Sequence, residues 1–172
     1  MKTEQNIDRN RITIRTASSE EMLLVWGYQP GKALSPTARF FTDHIDRGTC
    51  DFYALCYDNV IIGEIYVFWD LDDKDFANGR DRAYLCAFRV QKEYRHQGLG
   101  TILINAVIEK VKERGYTEVT IGVDETEEDN IRLYRRVGFE EKVKDCDEDP
   151  CDVGENGKAK KCRRFLLLRK GI

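Results

Sequence analysis

The sequence contains no long hydrophobic run. None of its apolar stretches approaches the roughly 20 residues that a membrane-spanning helix requires, so no membrane partner is expected. Met1 to Arg15 is polar and lacks the apolar stretch of a secretory signal, which leads to an expected cytoplasmic location. An excess of basic charge is also missing. The formal net charge is -3 and the isoelectric point near 5.6, which argues against nucleic acid as the partner. There is no Cys-x-x-Cys pair among the six cysteines, so a zinc site is not expected and no metal is assigned. Without a secretory signal, the even cysteine count is weak support for disulfides. Cys56 and Cys86 lie in apolar runs, where a thiol behaves as a small hydrophobe. Repeats, low-complexity tracts and Pro/Gly/Ser-rich linkers are absent too.

What remains describes one soluble globular unit. The chain has 172 residues, 41% hydrophobic and 34% charged, enough apolar surface to build a core in one domain. Residues 1–11 are expected to form a flexible polar arm and 12–172 a single domain. Ile12-Thr-Ile-Arg15 alternates as a strand. Ser18 precedes two acids and opens a short helix, and Ser35-Pro36 opens another. Residues 51–57 and 60–69 read as strands joined at Asp58-Asn59 in a tight hairpin turn. Arg82 to Val90 reads as a buried strand, and Gly98 to Arg114 carries apolar residues at helical spacing. A strand at 118–123, a helix at 129–137 and strands at 139–144 and 163–169 complete the series. The acidic segment Asp145 to Gly157 is expected to be a loop. The order predicts an α/β protein with an α+β mixed sheet, in which antiparallel hairpins flank a central β-α-β crossover.

The segment between the buried strand and the long helix carries the chemistry. Arg95-x-x-Gly98-x-Gly100 places glycines at the helix entrance. Glycine admits positive φ and close approach of a ligand to the backbone. The first turn of a helix also leaves N–H groups unpaired at the positive end of its dipole, so this turn suits a phosphate. The Thr101 hydroxyl adds a donor. The spacing fits neither a P-loop nor a dinucleotide fingerprint.

Here the sequence resembles the GNAT superfamily of N-acetyltransferases. The resemblance rests on Arg95-x-x-Gly98-x-Gly100, which matches Gln/Arg-x-x-Gly-x-Gly/Ala. It also rests on Asn130-Ile-Arg-Leu-Tyr134-Arg-Arg-Val-Gly138-Phe139 after a strand at family-like distance. Element order agrees from about residue 12 onward. The resemblance implies a GNAT-like sheet of about seven mostly antiparallel strands with about four helices. It implies acetyl-CoA as cosubstrate and direct transfer of acetyl to a primary amine in a ternary complex. Phe88 and Val90 would face the acetyl and pantetheine portion. Backbone amides of Arg95, His96, Gln97, Gly98, Leu99, Gly100 and Thr101 would hold the pyrophosphate. Asn130 would contact the pantetheine arm, and Tyr134 would lie near the sulfur as the acid that protonates the leaving thiolate. No covalent intermediate is implied, so Cys86 is expected to be a core thiol. A homodimer is left open by the resemblance.

The general base stays open at this level. A lysine-like amine with a pKa near 10.4 needs about 4.6 kcal/mol to reach its neutral form at pH 7, so a side-chain amine has the greater need of a base. Some family members carry Glu near the start of the fourth strand, where this chain has Tyr84. Glu64 and Asp124 are the alternatives. Acidic groups at Asp70–Asp75 and Asp124–Asp129 would favour a cationic small-molecule or peptide amine if they faced the acceptor. A second function class, a non-catalytic acyl-CoA-binding sensor or interaction module, is the alternative; Tyr134 speaks for the enzyme.

Overall fold

The computed structural model describes residues 6–172. Its elements run β1 (Ile12–Ala17), α1 (Ser19–Val25), α2 (Pro36–Arg47), β2 (Cys50–Tyr57), β3 (Val60–Phe68), β4 (Arg82–Val90), α3 (Leu99–Glu113), β5 (Glu118–Val123), α4 (Glu128–Arg136), β6 (Glu141–Val153) and β7 (Ala159–Gly171). Single turns of 3-10 helix cover Arg9–Arg11 and Lys92–Tyr94.

Local signals account for most boundaries. Ser18 and Glu21 form a reciprocal capping box on α1, satisfying two orphan backbone donors at once. The Ser35 hydroxyl accepts from the Ala38 amide, with Pro36 in the first turn of α2. Asp58 and Asn59 both adopt positive φ, at 48° and 65°, the geometry of a two-residue turn whose twist suits a hairpin.

The seven strands form one sheet in the order β1-β2-β3-β4-β5-β7-β6. Only β4 and β5 run parallel; α3 is the crossover between them. The mixed sheet with four α-helices is the expected GNAT-like arrangement. Alternating strand residues feed two cores. On one face Leu55, Ile65, Leu85 and Ile121 meet Leu103, Val107 and Val111 of α3. On the other, Phe52, Tyr66, Phe68 and Tyr84 meet Met22 of α1 and Phe41 of α2. Each fully buried large apolar side chain contributes about 1.5–3 kcal/mol.

The structure departs from the sequence reading in two places. The expected loop over Asp145–Gly157 is mostly strand, with β6 and β7 extended into one long hairpin. Its charges belong to exposed faces. Lys161 pairs with Asp147 and Glu148, Lys160 with Asp152 and Arg164 with Asp145, while Cys146, Cys151 and Val153 are buried. Pro150 is tolerated because β6 is an edge strand with register shifts. The second departure is in the arm expected over residues 1–11, of which residues 1–5 lie outside the described residues. Within the remainder, Ile7 packs on the α3-side core, and its amide donates to the Gln97 side chain at 3.2 Å. Arg11 pairs with Asp58, so this part of the segment is held by contacts.

Candidate active site

The site begins where β4 parts from β5. Their parallel pairing spans only Arg82–Leu85 and Glu118–Ile121, yet β4 continues to Val90. On the β3 side, Tyr66 pairs with Cys86 and Glu64 with Arg89, so β4 carries an extra residue there. Ala87 sits in this bulge at φ 49°. A bulge re-aims side chains and leaves backbone groups unpaired, and here it does so beside the opening between the two strands.

On the α3 face lies a cleft of about 620 Å³. Its lining includes Phe88, Val90, Arg95, His96, Gly98, Leu99, Gly100, Thr101 and Asn130, so nearly all of the residues singled out for coenzyme binding converge there. His96 and Gly98 adopt φ 61° and 78°, turning the chain tightly into α3. Gly98 caps the helix with no side-chain hydrogen bond, leaving first-turn amides available. Such a concavity of N–H groups at a helix start is an anion cradle. Arg95 Nε donates to the Val90 carbonyl at 2.7 Å and closes the turn. A Cβ on Gly100 would lie 2.9 Å from the Phe88 ring, so glycine is needed for that contact. The Gln97 side chain turns instead toward Ile7.

Arg132 and Arg136 of α4 also line the cleft, and Arg136 reaches the Thr101 hydroxyl at 3.5 Å. Sequence reasoning gave these two no role. Their i, i+4 spacing on the helix of the second motif was the available signal. Tyr134 is buried, its ring 6.2 Å from that of Phe88 and edge-on to it. Burial pushes its phenol above the ordinary tyrosine range, with Glu127 adding to the effect.

Across the sheet, Trp26, Tyr28, Glu64, Ala87, Phe88 and Arg89 surround a second hollow of about 460 Å³. Glu64 is only 3% exposed. One carboxylate oxygen accepts from Tyr66 at 2.6 Å and from Trp26 Nε1 at 3.0 Å, and the other pairs with Arg89 at 2.5 Å. Phe88 and Arg89 line both this hollow and the cleft on the α3 face. Trp26, Tyr28 and Arg89 were not marked from sequence, because nothing in local spacing connects α1 to β4.

The other two candidate bases sit elsewhere. Asp124 accepts from the Thr126 amide at 2.8 Å and hydroxyl at 2.7 Å, which lowers its pKa. Tyr84 is 4% exposed and edge-on to Phe76 at 4.9 Å, with its pKa pushed well up by burial. The acidic group at Asp70–Asp75 follows β3 at the far end of the sheet, where Lys74 and Lys144 pair with it.

Comparison with known proteins decides the family. Residues 19–139 match the acetyltransferase (GNAT) family. The chain belongs to that family. This GNAT-family chain has partial matches among curated proteins. An uncharacterized N-acetyltransferase of Methanocaldococcus jannaschii is 40% identical over 63 residues, covering 37% of this chain and 28% of that protein. An N-alpha-acetyltransferase of Sulfurisphaera tokodaii is 26% identical over 106 residues, covering 59% of this chain and 64% of that protein. The chain thus spans less than two thirds of either relative. A GNAT family acetyltransferase from Elizabethkingia anophelis, solved with acetyl-CoA bound, has a TM-score of 0.63 at 20% identity. That match covers 95% of this chain and 100% of the other and establishes the GNAT fold. Among the described residues, no helix is long and apolar enough to cross a membrane, and no three His, Cys, Asp or Glu side chains are placed to hold a metal ion.

Proposed function

We propose that the protein transfers acetyl from acetyl-CoA to a primary amine by direct attack within a ternary complex. The observation that carries this reading is the pair of hollows on opposite faces of the sheet, which meet at Phe88 and Arg89 where β4 leaves β5. One suits a phosphate-bearing thioester and the other an amine.

The pyrophosphate lies against the amides from Arg95 to Thr101, with Arg136, beside the Thr101 hydroxyl, supplying positive charge. Asn130 meets the pantetheine arm, which takes the place of the missing strand partner against the backbone of Phe88 and Val90. The amine nitrogen attacks the thioester carbonyl. Charge develops on the carbonyl oxygen, and a backbone N–H near Phe88 stabilises it. The C–S bond breaks as the C–N bond is completed, and Tyr134 gives its proton to the departing thiolate. Its raised pKa keeps that proton in place at neutral pH.

Among the three candidates for the base, Glu64 is the one that borders the hollow on the amine side. Asp124 is committed to its turn, and Tyr84 is enclosed by aromatic rings. Glu64 accepts the amine proton, directly or through a water, once the incoming ammonium competes with Arg89 for the carboxylate. The test is release of free thiol from acetyl-CoA in the presence of an amine panel. Acceptor-dependent release is expected, with intersecting initial-rate lines when both substrates are varied. Acetyl-CoA binding with no turnover on any amine would replace the enzyme with a sensor.

A further inference from the structure

A third hollow lies on the same face as the Glu64 site and shares the Glu64–Arg89 pair as a wall. This groove, of about 640 Å³, runs between α1 and the turn after β4, and apart from Glu64, Arg89 and Arg95 its lining has no part in the chemistry above. Its apolar lining includes Leu24, Val25 and Ile61. Leu24 is 68% exposed, and Val60, at 63%, stands between the lining residues Asn59 and Ile61. These two are the exposed large hydrophobics among the described residues.

The charges of the groove have a direction. Its lining holds Arg15, Arg89, Lys92 and Arg95 against Glu21, Glu64 and Glu93, one more cation than acid. Glu21 is held by Arg15 at 2.7 Å and Glu64 by Arg89 at 2.5 Å. Of the remaining charges in the lining, Lys92, Arg95 and Glu93 have no ion-pair partner among the described residues, two cations to one acid. A polycation extending beyond Glu64 would therefore meet net positive charge, whereas carboxylates would be attracted. Each hollow alone has the volume of an ordinary small-ligand site. Two in series suit an extended occupant, and the mixture of apolar floor and charged rim suits a polypeptide.

Resting on the transferase reading, we infer that the acceptor is a polypeptide N-terminus with acidic residues close behind it. Its terminal amine occupies the Trp26–Tyr28–Glu64 hollow, and the following residues pass over Arg89 into the groove beside Lys92 and Leu24.

The test compares three acceptors with acetyl-CoA: a short primary amine, a heptapeptide with Asp and Glu at its second to fourth positions, and the same peptide with Lys there. The acidic peptide is expected to exceed the basic one in kcat/KM by about tenfold, and to lose most of that margin at high salt. Lys92→Glu should shrink the margin about fivefold while leaving the short amine unchanged. Leu24→Glu, a second exposed site, should weaken both peptides and spare the short amine. Equal rates for the two peptides, or a margin insensitive to Lys92→Glu, would overturn the inference while turnover of the short amine keeps the transferase standing. Silence on all three acceptors would remove both.

Discussion

The two halves of β4 are built from similar residues and serve different ends. From Arg82 to Leu85 the strand pairs with β5 throughout, and Tyr84 and Leu85 have a β3 partner as well. Arg82 pairs with Glu118 at 2.7 Å across the parallel ladder, and Leu85 is fully buried. From Cys86 to Val90 the β5 partner is gone, a bulge intervenes and Ala87 takes a positive φ. Where pairing is complete, side chains are committed to the core. Where it stops, backbone groups and re-aimed side chains face hollows on both sides of the sheet. Changes in the first half should therefore cost stability, and changes around the second half should cost function.

The largest effect is expected in the first half. Leu85→Ala leaves a cavity between β3, β5 and α3 and should lower unfolding stability by about 3 kcal/mol. Denaturant melts would show it, while kcat of the remaining folded enzyme stays near wild type. A stability loss below about 1 kcal/mol would blur the distinction between the halves.

Next comes Tyr134→Phe beside the second half. The ring stays to pack on Phe88 and Phe139, but the proton is lost. We expect kcat to fall about 100-fold with the acetyl-CoA dissociation constant nearly unchanged. Because burial raises the phenol, the acid stays protonated as pH increases, so kcat should not bend downward below about pH 10. Equal turnover of mutant and wild type across that range would remove Tyr134 from the acid role.

Glu64→Gln keeps the size of the side chain and loses its basicity. The acceptor kcat/KM should drop about 30-fold, less than for the acid because water can relay the proton. Calorimetry should show acetyl-CoA binding intact. A larger loss for Asp124→Asn than for Glu64→Gln would reverse the choice of base.

The smallest effect separates the cradle from the acid. Gly98 holds φ 78° with only Arg9 near its missing Cβ. Gly98→Val should weaken acetyl-CoA binding about tenfold by straining the turn and narrowing the approach to the helix amides. An unchanged dissociation constant in a folded variant would count against the pyrophosphate assignment.

The cleft at the entrance to α3 was largely legible from sequence, because its geometry is local. Gly98 and Gly100 dictate how the chain enters α3, and the residues from Phe88 to Thr101 are nearly contiguous. Asn130 and Tyr134 follow in a second short motif. The hollow around Glu64 was hardly legible. Glu64 was one candidate among three, and Trp26, Tyr28 and Arg89 come from separate elements brought together only by sheet order. In sequence the first arm of the long hairpin resembles a loop because its acids are consecutive. Only pairing reveals that they stand opposite the bases of the second arm.

The chain by itself determined the two-sided sheet, the helix caps, the hairpin turn at Asp58-Asn59 and the glycine-bearing entrance to α3. Each of these depends on residues a few positions apart, through the strand period, backbone φ and orphan amides. The tertiary structure alone decided that β4 and β5 separate after Leu85, that Glu64 meets Arg89 and Trp26, and that a charged groove adjoins that pair. Those relations join residues up to several tens of positions apart, and packing rather than local preference fixes their distances.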